Sequence, residues 1–167
     1  MKRLKLLPGC KGDAEFSKCE KYRWTLARIW NESKPKIAFI GLNPSTASRD
    51  VDDPTIRRCI DFASRWGFGT YIMLNLFAYR STDPSGLRLV DDPVGACNDE
   101  CIELVTKAVD CVVVAWGAHS HPLLKARAEH VLSLIPNPKC LGTTKGGSPR
   151  HPLYVPGNTK LVEYRQK

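Results

Sequence analysis

Asn43, Ser45, Thr46, Asp50, Asp52 and Asp53 crowd into one polar turn directly behind the apolar run Ile37-Ala38-Phe39-Ile40. A buried strand of this kind delivers its carboxyl end to an active-site crevice in open α/β sheets, and Asp50 and Asp52 are the candidate carboxylate activators there. Asn75 sits near the carboxyl end of a second apolar run, Thr70 to Phe77. A buried amide needs hydrogen-bonding partners, so Asn75 reads as a recognition group more readily than as core. His151 brings an imidazole just after the glycine-rich, basic segment Leu141 to Arg150. Lys145 and Arg150 supply charge in that segment, and Gly146 and Ser148 let its backbone approach a phosphate. It lacks P-loop spacing, and its composition equally fits a solvated loop; the position before His151 favours a phosphate clamp. Other residues have plainer readings. Asn43-Pro44 also fits an ordinary turn, Asp53 is most economically a helix cap, and Trp116 reads as core. His119 and His121 rank behind His151.

The elements that must position these groups alternate along the chain. Tyr22 to Trp30 reads as a strand or short hairpin, ended by the turn Asn31 to Pro35. Lys36 to Gly41 is the first central strand. A helix then opens with Asp53 as N-cap and Pro54 at its first position, shows an apolar face of Ile56, Cys59, Ile60, Phe62, Ala63 and Trp66, and ends at Gly67 and Gly69. Thr70 to Phe77 and Cys111 to Gly117 are strands apolar at nearly every position, as strands covered on both faces should be. Helices are predicted around Ile102, Val105 and Val109 and over 122–134, and a short fourth strand over 138–141. Such alternation predicts an α/β protein: a three-layer α/β/α sandwich around a central, mainly parallel four-stranded sheet. A single domain over 1–167 is expected, with an N-terminal arm and edge strand over 1–35 and a core over 36–154. The polar segments 41–53, 75–86, 117–121 and 142–154 then gather along one rim.

A formal net charge of +8 favours an anionic partner, although Lys2, Arg3, Lys5, Lys11, Lys18, Lys21 and Arg23 also fit a solvated face. The seven cysteines are an odd number, some inside apolar patterns, which argues against a disulfide framework. Cys10 with Cys19 and Cys97 with Cys101 lack the C-x-x-C spacing of common metal sites, so no metal or other cofactor is expected. No apolar run reaches membrane-spanning length and no cleavable leader follows the basic start. The reading is a cytoplasmic protein with no membrane partner.

Gly41-Leu42-Asn43-Pro44-Ser45, Met73 to Arg80, Val113 to His119 and His151-Pro152-Leu153-Tyr154 together resemble, in order, the four motifs of the uracil-DNA glycosylase superfamily over residues 36 to 154. The whole chain looks still more like a family of bacterial and phage proteins known as a domain of unknown function. The resemblance implies a uracil-DNA glycosylase-like fold and a base pocket walled by Gly41, Leu42, Ser45 and Asn75, with Asn75 reading an extruded base. It implies catalysis by Asn43, His151 and a carboxylate such as Asp52. Breaking an N-glycosidic bond places negative charge on the departing base, so the site must position water and stabilise an anion; Asn43 would hold the water and His151 donate to a base carbonyl. Asn43 stands where efficient uracil enzymes carry Asp, and Leu153 replaces the usual Ser of the last motif. The expected function is release of a uracil-like or modified pyrimidine from DNA by a monomer. The alternatives are an enzyme acting on free or modified nucleotides and a non-catalytic nucleic-acid or nucleobase-binding protein.

Overall fold

The computed structural model describes residues 4–165. In chain order the strands and helices are β1 (Leu4–Lys5), β2 (Lys11–Phe16), β3 (Arg23–Ile29), β4 (Lys36–Gly41), β5 (Val51–Asp52), α1 (Pro54–Arg65), β6 (Thr70–Asn75), α2 (Asn98–Ala108), β7 (Cys111–Val114), α3 (Leu124–Leu134), β8 (Lys139–Cys140) and β9 (Val162–Glu163). Short 3-10 turns cover Pro84–Leu89 and Pro152–Tyr154.

The expected four-stranded, mainly parallel sheet of a glycosylase-like sandwich is not what forms. The main sheet has seven strands in the order β2-β3-β6-β4-β7-β8-β9. It is mixed: β2–β3, β3–β6 and β8–β9 pair antiparallel, and β6–β4, β4–β7 and β7–β8 pair parallel. The physical reason lies in the flanks. Along Lys11-Gly12-Asp13-Ala14-Glu15-Phe16 only Ala14 is buried, so the segment has little apolar signal and reads as a polar arm. Its backbone nevertheless pairs from Lys11↔Ile29 to Ala14↔Leu26, and hairpin pairing needs no apolar stripe. β3 consequently lies inside the sheet rather than at its edge, with Leu26 opposite Met73. β9 is two exposed residues, which hydropathy cannot flag.

The helices cover the middle strands. The buried face of α1, Ile56, Cys59, Ile60, Phe62 and Ala63, packs with Ile37, Phe39, Tyr71, Met73 and Val113. Ile102 of α2 with Ala128 and Val131 of α3 packs in a second cluster with Ala38, Ile40, Leu74, Val112 and Val114. Alternate residues of β4 and β7 thus divide between the two clusters, as the period-two geometry of strands requires. Helix α1 starts as expected: Asp53 Oδ1 accepts the Ile56 amide at 2.9 Å, and Pro54 occupies the first turn. Because β4, β6 and β7 run parallel, their carboxyl ends release residues 41–45, 75–81 and 115–119 on the same rim. Among the described residues, no helix is long and apolar enough to cross a membrane.

Candidate functional site

β6 ends on Asn75, whose side chain is 1% exposed. Neither Asn75 Nδ2 nor Oδ1 has a hydrogen-bond partner among the described residues. Its main chain is well held: Asn98 Nδ2 donates to the Asn75 and Leu76 carbonyls, each at 3.1 Å. A buried amide with both polar atoms unmet costs stability, a feature expected where a ligand completes the bonding. Opposite it in register stands Gly41. A Cβ at Gly41 would lie 2.6 Å from Met73 Cε and 3.0 Å from Asn75 Oδ1, so a larger residue at this strand end shifts the tip of Met73 and crowds the Asn75 amide.

Gly41 and Met73 line a cavity of about 140 Å³, whose other walls include Leu42, Asn43, Ser45, Asp53, His151 and Tyr154. Both amide hydrogens of Asn43 are committed, to the Pro44 carbonyl at 3.0 Å and the Ser81 carbonyl at 2.8 Å. What Asn43 can offer the cavity is therefore its acceptor, Oδ1. His151 caps the second 3-10 turn, its Nδ1 accepting the Leu153 amide at 3.3 Å. An imidazole that accepts at Nδ1 carries its proton on Nε2 when neutral. Burial, helped by the neighbouring His119, pushes the His151 pKa down to about 4, so the ring is neutral near pH 7 and serves as an Nε2–H donor. Gly117, with φ +76°, lets the chain fold closely here: a Cβ on it would lie 3.3 Å from His151 Cβ and 3.4 Å from His119 Nε2.

The predicted residues do not all converge. Gly41, Leu42, Asn43, Ser45 and His151 share the cavity, and Asn75 lies immediately beside Gly41. Asp52 does not line it. Its fully buried carboxylate bridges Arg28 Nε at 2.8 Å and Arg57 Nε at 2.6 Å, tying β3, β5 and α1 together. Asp50 is exposed. The carboxylate at the cavity is Asp53, 4% exposed, with Oδ1 engaged in the helix cap. Lys145 and Arg150 line an adjoining cavity of about 400 Å³ that shares His119, His151 and Tyr154 with the first. Gly146 and Ser148 face another, of about 320 Å³. The segment 142–150 is a tight turn: Thr143 bridges Pro149, and the Thr144, Gly147 and Arg150 amides bond to carbonyls within it. A phosphate there would meet the side chains of Lys145 and Arg150 rather than those three amides.

Sequence reasoning missed Arg23. It lines the 140 Å³ cavity, is 2% exposed, donates from Nη1 to the Ala47 carbonyl at 3.0 Å and leaves Nε unpaired among the described residues. Burial lowers its pKa to about 10, opposed by the Asp53 carboxylate, so it stays cationic. Its one signal was an arginine at the head of a strand rich in large apolar residues, Trp24, Leu26 and Ile29. No group of three or more His, Cys, Asp or Glu side chains with metal-binding geometry occurs among the described residues.

A family model described as "Protein of unknown function (DUF1643)" matches residues 23–153, which spans every wall of the cavity except Tyr154. No curated protein and no solved structure matches the chain. The expected tie to uracil-DNA glycosylases thus gains no support from these comparisons, and the seven-stranded mixed sheet departs from the architecture it implied.

Proposed function

We propose a function for a chain that belongs to the DUF1643 family: hydrolysis of an N-glycosidic bond that releases a uracil-like or modified pyrimidine base from DNA. The observation that carries this reading is the buried, unpartnered Asn75 amide beside a cavity into which a neutral His151 projects. An amide offers one donor edge and one acceptor, matching the alternating carbonyl and N–H groups of a pyrimidine edge. A volume of about 140 Å³ is near the roughly 150 Å³ that admits one benzene-sized ring.

In the reaction water adds its oxygen to the sugar carbon as the bond to the base nitrogen breaks. The bonding electron pair leaves with the base, and the proton released by water ends on it. His151 Nε2–H would hydrogen-bond to the base oxygen on which charge develops, and Asn43 Oδ1 would hold the water. Arg23 adds a fixed positive charge at the wall. A net charge of +8 suits a polyanionic substrate.

The test is incubation of pure protein with DNA carrying uracil, mismatched thymine or hydroxymethyluracil, with mass spectrometry for free base and abasic sites. Release that falls at least ten-fold in Asn75→Ala and in His151→Ala is the expected result, a scale typical of losing an oriented donor. Silence on all three substrates despite salt-sensitive binding would leave a base-binding protein without catalysis and end the hydrolase reading.

A further inference from the structure

Four cavities meet at His119: those of about 140 and 400 Å³ already described, one of about 320 Å³ beside Trp116, and one of about 540 Å³ beside Arg88. Tyr154 lines three of them and is 80% exposed, an unusual position for a large aromatic ring. It is held rather than free. Its amide donates to the His151 carbonyl at 3.0 Å, its ring leans on the His151 ring at 5.4 Å, and Arg58 of α1 clamps the turn through the Val155 carbonyl at 2.6 Å. The flanks of the crevice are cationic. Lys145 and Arg150 stand on one side, Lys125 on a second and Arg88 on a third. Among the described residues, Arg88, Lys145 and Arg150 have no carboxylate partner. The carboxylates lining the crevice are Asp53 and Asp83, and each is committed through Oδ1 to capping its own turn.

We infer that this crevice binds a single nucleic-acid strand, with Tyr154 as the platform on which a base stacks and the flanking cations following its phosphates. Separate concavities radiating from an exposed aromatic ring fit bases that are splayed apart. In a duplex the same faces are stacked and the edges paired, so none is presented to Tyr154 without extrusion. An aromatic platform inside a basic groove is the physical pattern of single-strand binding. The inference rests on the nucleobase reading of the 140 Å³ cavity and adds strand preference and a stacking residue to it.

The experiment is fluorescence anisotropy with a labelled, uracil-free single-stranded oligodeoxynucleotide and with its duplex, at matched salt. The single strand should bind at least about ten-fold more tightly. Tyr154→Ala should weaken it about ten-fold, whereas Tyr154→Trp should stay within about three-fold, as expected for stacking on one base. Because Tyr154 is exposed, the truncation leaves the core intact, and an unchanged unfolding midpoint verifies this. Replacing Lys145 and Arg150 together by Ala should flatten the dependence of log affinity on log salt by about 1.4. Equal or tighter duplex binding, or an unaltered affinity in Tyr154→Ala, overturns the inference. Base release without single-strand preference would sink this inference alone; single-strand binding without release would sink the hydrolase reading alone.

Discussion

Gly41 and Asn75 face each other in register at the ends of β4 and β6, with the Gly41 Cβ position only 3.0 Å from Asn75 Oδ1 and closer still to Met73 Cε. A side chain at residue 41 must push Met73 into the cavity or displace the amide. Gly41→Ala should therefore destabilise by about 1–3 kcal/mol, the usual cost of overpacking, and lower base release at least ten-fold. Chemical denaturation and the release assay measure the two effects separately.

Asn75 separates stability from function more sharply. Its amide atoms have no partner among the described residues, so replacing them by the similarly shaped Leu leaves no donor or acceptor stranded. Asn75→Leu should hold stability or raise it by about 1 kcal/mol while removing base release and base binding. A fall in stability of about 2 kcal/mol or more, the scale of a broken buried bond, would show that the amide serves the fold instead.

Asp52 should behave in the opposite way. It is the shared anion of Arg28 and Arg57, and Asp52→Asn leaves a buried guanidinium uncompensated. A loss of about 3–5 kcal/mol is expected, with the rate of base release per folded molecule unchanged at low temperature. Loss of turnover at full stability would instead place Asp52 in the chemistry.

His151 links the site to pH. Its folded pKa of about 4 lies below the ordinary 6.5, so the unfolded chain binds the proton more readily. The stability tied to its neutral form is complete above about pH 6.5, falls as pH drops through that window, and is lost below about 4. Urea midpoints measured between pH 7 and pH 4 should fall less in His151→Asn than in the parent. Activity should show no inflection from this ring above about pH 4.5, half a unit over its folded pKa.

All seven cysteines are free thiols, which thiol titration can resolve by site. Cys19 is exposed, with Ser17 Oγ 3.3 Å from its sulfur, and that hydrogen bond lowers its pKa. Cys59 is buried and its pKa is raised by burial to about 12. A disulfide reagent at pH 7.5 should label Cys19 first and leave Cys59 unlabelled until unfolding, with seven equivalents in denaturant.

Sequence alone determined what depends on local chemistry. The Asp53-Pro54 start of α1, the uninterrupted apolar middle strands and the oddness of Asn75 in such a strand are legible because capping, burial and period are properties of neighbouring residues. The rim shared by residues 41–45, 75 and 151 follows from those elements. Tertiary structure decided the rest. The charged segment of β2 and the two exposed residues of β9 join the sheet through backbone bonds that carry no hydropathy signal, which is why four strands were expected and seven form. Asp52 and Arg23 departed from their anticipated roles for the same kind of reason, whereas Asp53 caps α1 as expected and also lines the cavity. Adjacent carboxylates in sequence point to different surroundings, Asp52 to two arginines and Asp53 to the cavity, and only the long-range pairing of β3 with β6 brings Arg23 to the wall. Side-chain type can be read along the chain; which groups share one enclosed volume is set by long-range packing.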